Sequence, residues 1–228
     1  MTTMFSSEFI EKFKNGQKEF DGIELHYADI SGRNFERLKL KNSRLFLTNL
    51  RDCLFKNVVF ENCEISFCLF GRSNFEDVKF IKCQIGYSGF TTAAFSNVYM
   101  EDTKLSWVSL IDAKLGGLQM KNCTEFMVFR NISELTPTIF ERALTDIQPI
   151  MMQLDFDMQQ KIKHITEIFV QQHGIPVHAN LTAKSRYSKS AEGYTILDTF
   201  IDSAIRMYGQ EPPYKQKNIY DTKTKYKK

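Results

Sequence analysis

The side chains able to do chemistry in this chain are four histidines and five cysteines, and their spacing builds no reactive centre. His26, His164, His173 and His178 form no HExxH pair, and neither a GxSxG elbow nor a phosphate-binding glycine loop accompanies them. His173 and His178 stand five apart around Gly174 and Pro176, a weak metal-ligand spacing with no third donor beside it. Cys53, Cys63, Cys68, Cys83 and Cys123 contain no CxxC pair and are odd in number, which fits neither a disulfide framework nor a zinc knuckle. The expectation is therefore no cofactor, no metal and no enzymatic activity.

The whole-chain balance is equally plain. Of 228 residues, 43% are hydrophobic and 25% charged, ordinary globular values, with 20 phenylalanines against a single tryptophan. The net charge of +3 is too small to imply a nucleic-acid binder and has the wrong sign for a DNA mimic. No stretch approaches the roughly 18 consecutive apolar residues of a membrane helix. Glu8, Glu11, Lys12 and Lys14 stand where a signal peptide would be apolar. A cytoplasmic protein that does not associate with membranes is expected.

The elements that hold these residues are set by a strict period. From Leu25 to Met120 every fifth residue is large and apolar, twenty units without a slip. Two residues before each comes a mostly small or compact one, such as Ala28, Ser43, Thr48, Val58 and Ser73; Arg33, Leu38 and Leu118 are the exceptions. All five cysteines fall on this second track. A helix repeats at 3.6 residues and a strand at 2, so a period of five demands a turn in every unit.

Units such as Ala28-Asp29-Ile30-Ser31-Gly32 and Ser73-Asn74-Phe75-Glu76-Asp77 resemble those of the pentapeptide-repeat proteins. The resemblance implies a right-handed quadrilateral β-helix with four pentads per coil and both tracks pointing inward. Lys39, Leu54, Val59, Lys79 and Tyr99 replace the usual Asp or Asn before the large residue, which marks a degenerate member. One hundred residues then give about five coils rising roughly 24 Å at strand spacing. The cysteines become compact fillers, with Cys63 and Cys83 neighbours in adjacent coils.

Function must then be sought on the outside. Sorting the last residue of each pentad by the twenty-residue coil gives one apolar ladder, Tyr27, Leu47, Phe67, Tyr87 and Trp107, while the equivalent corners of the other faces are polar. Such a stripe calls for a cover: the chain's own C-terminal helices, a second copy in a homodimer, or another protein anchored on Trp107 and the tyrosines. A smaller outward cluster is Val59, Ile81 and Tyr99.

The flanks divide the chain. Residues 1–19 are expected to form a capping helix with a serine cap around Ser7, plugging the first coil, and 20–125 the β-helix. Residues 126–210 form a helical C-terminal region: a helix from Thr136-Pro137 to Pro149, one from about Asp155 or Asp157 to His173-Gly174, and one from Ser190 to Tyr208. Between the last two, Pro176 to Lys189 reads as an exposed loop. Residues 211–228 form a basic tail carrying Lys215, Lys217, Lys223, Lys225, Lys227 and Lys228.

The reading is a mainly β chain with a helical region that acts as a non-enzymatic protein-interaction scaffold, with homodimerisation through the helices or ladder as one form of it. One alternative, which the family resemblance brings with it, is a DNA-mimic-type antagonist or protector of a topoisomerase or other DNA-binding protein. Residues 20–123 carry 13 basic against 12 acidic residues, so only a local patch, Glu61, Glu76, Asp77, Glu101 and Asp102, supports that alternative. A second alternative is a nucleic-acid adaptor acting through the lysine tail, although nucleic acid is not the expected partner.

Overall fold

The computed structural model describes residues 1–129 and, by itself further on, Gln160. The helices and tail expected beyond residue 129 lie outside the described residues. What is described is a parallel β-solenoid of about six turns, mostly sheet.

On three of the four walls each pentad contributes a short strand, most of them of three residues, and a corner. The first wall is a seven-stranded sheet built from Thr2–Thr3, Ile23–His26, Arg44–Phe46, Glu64–Ser66, Gln84–Gly86, Lys104–Ser109 and Thr124–Phe129. The second wall is a column of isolated bridges, Asp29 to Asn49 to Leu69 to Gly89 to Ser109. The third is the four-stranded sheet of Asn34–Glu36, Leu54–Lys56, Asn74–Glu76 and Ala94–Ser96. The fourth runs from Glu19–Asp21 through Lys39–Lys41, Val59–Glu61, Lys79–Ile81 and Val98–Glu101 to Leu118–Lys121. Every described pairing is parallel, and along each wall of the array the partner lies twenty residues away, as Phe75 does from Phe55 and Phe95.

The corners explain why five residues suffice for a strand and a right-angle step. The last residue of nearly every pentad has φ near +50°, as in Asn42 (46°), Asp52 (57°), Asn57 (54°) and Asp102 (50°). Asn and Asp tolerate this left-handed backbone better than other L-residues, which is why they crowd the polar corners. Corner amides are not wasted, since Asn57 N–H donates to the Glu76 carbonyl at 2.9 Å and Asp77 N–H to that of Ser96 at 3.0 Å.

The lumen is dry and aromatic. Phe55, Phe60, Phe70, Phe75 and Phe80 are all fully buried. Phe60 stacks on Phe80 at 4.8 Å between centroids, and Phe70 on Phe90 at 4.6 Å. The small track supplies polar repair where strands turn. Ser73 Oγ accepts from the Cys53 amide at 3.0 Å, Ser88 Oγ from the Cys68 amide at 3.0 Å, and Thr103 Oγ1 from the Cys83 amide at 3.3 Å. An unmet amide there would cost about 1–3 kcal/mol, which gives the hydroxyls a structural reason to occupy an apolar lumen.

Helix Ser6–Lys14 lies over the open first coil. Phe9 and Phe13 are buried, with ring centroids 4.7 Å from Phe20 and 5.3 Å from Phe35 respectively. The expected serine cap is not formed. The cap position is Phe5, with no side-chain capping bond, because the chain enters the helix straight from an edge strand. That strand, Thr2–Thr3, pairs with Ile23 and Glu24 and covers the otherwise open edge of the first wall. Near the other end of the rod stands Gly117, where an added Cβ would sit 2.6 Å from the Phe95 carbonyl oxygen.

Candidate interaction surfaces

Among the described residues no group of three His, Cys, Asp or Glu side chains is placed to hold a metal. His26 lies half-buried on the first wall, stacked on Tyr27 with 6.0 Å between ring centroids, and the other three histidines lie outside the described residues. All five cysteines are free, four of them buried. Burial pushes the Cys53 and Cys68 thiols up to about 12, and the hydrogen bond with Cys63, followed by burial, pushes Cys83 up as well. The thiols donate to backbone carbonyls, as Cys53 Sγ does to Ile30 at 3.4 Å and Cys63 Sγ to Leu40 at 3.4 Å. Buried thiols held up in this way serve as packing, while the hydrogen bond from Cys83 holds Cys63 below its ordinary value.

The five ladder residues share one wall. Phe67 stacks on Tyr87 at 4.9 Å and 7°, and Tyr87 on Trp107 at 6.1 Å and 11°. They stand outside the cluster of side chains that fills the lumen. All five are nevertheless buried, Tyr27, Tyr87 and Trp107 at 4% exposure and Leu47 and Phe67 at 1%. The ladder is a continuous apolar stripe, and its side chains are buried.

Sequence reasoning missed how wide that covered wall is. Phe46 and Leu69, expected to point outward, are fully buried beside the ladder, and Ile111 is 2% exposed. Arg51 is buried as well, its Nε donating to Asn49 Oδ1 at 3.0 Å, while Asn49 Nδ2 donates to Asp29 Oδ1 at 3.1 Å. The apolar identities of Phe46, Leu69 and Ile111 were the available signal, and the period of five hid it because these residues fall on the variable positions.

The fourth wall is open. Lys79 has Val59 and Tyr99 as its register neighbours, and Ile81 has Glu61 and Glu101. Val59, Ile81 and Tyr99 are half-buried, and Lys79 and Lys82 are exposed. Among the described residues neither of these two lysines has an ion-pair partner. Around them the charges are matched: Lys39 pairs with Glu61 at 3.6 Å, and Lys121 with Glu101 at 2.6 Å. The hydrogen bond and charge of Lys41 hold the Glu19 carboxyl below its usual range, and Glu101 in the same way holds Lys121 up.

Three carboxylates of the candidate acidic patch are charge-paired, and its two aspartates are hydrogen-bonded by neutral amides. Besides those pairs, Glu76 meets Lys56 at 3.5 Å, Asp77 accepts from Asn97 Nδ2, and Asp102 accepts from Asn122 Nδ2 at 3.3 Å. On the first wall Arg44 bridges Glu24 at 3.1 Å and Glu64 at 3.0 Å. Burial works against the Arg44 charge and the two carboxylates outweigh it. The tail lysines 215, 217, 223, 225, 227 and 228 lie outside the described residues.

Comparisons with known proteins bear on the repeat. Among curated proteins none matches the chain. Solved structures similar to it include HetL, a pentapeptide repeat protein involved in heterocyst differentiation regulation from Nostoc sp. strain PCC 7120, at 17% identity, TM-score 0.46, over 48% of this chain and 46% of that one. Another is a trypsin-treated R167E form of QnrB1, a plasmid-mediated fluoroquinolone resistance protein, at 16% identity, TM-score 0.39, over 50% of this chain and 60% of that one. A third is the pentapeptide repeat protein Rfr23 from the cyanobacterium Cyanothece 51142, at 13% identity, TM-score 0.39, over 54% and 97%. The chain thus spans about half the length of HetL and three-fifths of QnrB1. Residues 33–110 match the family described as pentapeptide repeat region, a stretch that lies within the run of pentads. Residues 33–110 of the chain are thus a pentapeptide repeat region.

Proposed function

We propose that the chain is a non-enzymatic protein-interaction module whose open fourth wall receives the partner. One observation carries this: Val59, Ile81 and Tyr99 make a half-buried apolar strip on a flat sheet, with Lys79 and Lys82 unmatched beside it among the described residues. Tyr is favoured at interface anchors, and two unmatched lysines favour a partner carrying acidic side chains around an apolar one. The lumen is filled by stacked rings, which leaves no interior for a substrate. Free thiols, four of them buried, suit a reducing compartment such as the cytoplasm. Completing the architecture, we propose a right-handed coil followed by a helical region beyond residue 129.

The DNA-mimic alternative draws no support from the charge arrangement. Glu61, Glu76 and Glu101, on the third and fourth walls, each face a lysine within 4 Å, so these carboxylates alternate with positive charge where mimicry needs one sign.

The test is retention of proteins from the source cells on the full-length chain, followed by mass spectrometry. A protein held by wild type and by an Asn34→Ala control on the third wall, but lost from Ile81→Asp with Tyr99→Asp, is the expected result. Equal retention by all three contradicts the proposal.

A further inference from the structure

We infer that the chain's own C-terminal segment, residues 130–228, docks on the aromatic ladder, so that the wall carrying Tyr27, Leu47, Phe67, Tyr87 and Trp107 is an intrachain receptor face. A side chain outside the lumen of a rod is buried only when something lies on the rod's outer surface. All five are 1–4% exposed in a structure of one chain, and none belongs to the lumen cluster. The strands are the rod itself, and helix Ser6–Lys14 is committed to the lumen end through Phe9 and Phe13. The remaining chain able to lie across the ladder is the segment after residue 129.

Backbone energetics point the same way. The ladder residues occupy corners with φ from 48° to 57°, which Asn or Gly would fill more easily. Left-handed backbone is strained for an ordinary L-residue. A buried aromatic ring removes ~150–250 Å² from water, a gain larger than the strain of one such corner. Covered, the ladder outweighs its own strain; left in water, it does not.

Length and shape fit as well. The described chain ends in strand Thr124–Phe129, beside Trp107, whose ring lies 6.1 Å from that of Phe126. Tyr27 lies four coils away, roughly 19 Å at strand spacing. A helix spans that with about 13 residues, and the amphipathic stripes read over Asp157 to His173 and Ser190 to Tyr208 are both longer. Beside the ladder runs a column of small residues, Ser66, Gly86 and Ser106. A Cβ added at Gly86 would meet nothing closer than 3.7 Å, so the column leaves room for an incoming backbone.

The inference does not depend on the fourth-wall reading, and its test involves no outside partner. In the full-length chain Phe67 is replaced by p-benzoylphenylalanine, a photo-crosslinker of similar shape, and in a second preparation Tyr87 is replaced instead. Illumination is expected to join these positions to peptides from residues 130–228 at the mass of one chain. Trp107, the only tryptophan, reports the same wall in the unmodified protein: blue-shifted emission, protected from acrylamide, unchanged on dilution. Crosslinks at the mass of two chains, crosslinks confined to residues 1–129, or a Trp107 that is quenched like the free amino acid would each overturn the inference. Protection lost on dilution would do so too, by assigning the cover to a second copy.

Discussion

Phe55 and Phe75 stack ring on ring, 4.9 Å between centroids and 14° between planes, although twenty residues separate them in the chain. The column continues to Phe35 at 5.5 Å and Phe95 at 5.1 Å. In a solenoid each coil buries its inward side chains only against its neighbours, so a defect at the middle of this column is felt on both sides. Phe75→Ala is expected to cost about 3–5 kcal/mol, the range for deleting a buried ring with little room for collapse. Denaturant unfolding of the full chain, followed by circular dichroism, measures it.

The corners make a prediction of opposite character, on the surface. Asn57 is exposed and has φ 54°. Asn57→Val places a β-branched residue in left-handed backbone and should cost about 1–2 kcal/mol, although no contact is lost. Asn57→Gly fits the same backbone without a Cβ and should change stability by less than ~1 kcal/mol. Equal effects of the two substitutions in denaturant unfolding would speak against the corner geometry.

These two positions also show what was legible beforehand. Phe75 and Asn57 recur at fixed phases of the period because the lumen and the corner each impose one requirement on every coil. The interior columns and the polar corners were therefore readable. Phe46, Leu69 and Ile111 were not, since they sit at variable positions whose burial no periodic rule marks. Arg51 is the same kind of case, a charged residue at a variable position that packs against Asn49. The unused serine cap and the edge strand Thr2–Thr3 depend on how the first residues meet a coil twenty residues later, which local capping rules do not see.

The buried thiols give a dependence on pH with a definite sign. Cys53 and Cys68 move from 9.0 up to about 12 on burial. Below the unfolded value both are protonated in either state, and their contribution is fully present. As pH rises from about 9 toward 12 the unfolded chain ionises and the folded one resists, so stability falls, by at most about 1.4 kcal/mol per pH unit for each thiol. Unfolding midpoints measured at about pH 8 and about pH 10 should show this decline, and Cys68→Ala should flatten it.

The same burial orders the thiols by reactivity. Cys123 is the one cysteine that is only half-buried. In native protein a thiol reagent should modify Cys123 first, and Cys53, Cys63, Cys68 and Cys83 only on unfolding. Peptide mapping of the labelled sites reads the result, and rapid native labelling of Cys68 would contradict the packing.

The claim on which both proposed surfaces rest is that the backbone returns to the same wall every twenty residues. Nuclear Overhauser contacts in full-length protein with labelled isoleucine and leucine methyl groups test this most directly. Ile65, Ile85 and Leu105 are register neighbours in successive strands of the first wall, and the account predicts contacts from Ile65 to Ile85 and from Ile85 to Leu105. Absence of both, with these methyl groups in contact instead at some other spacing along the chain, would contradict it.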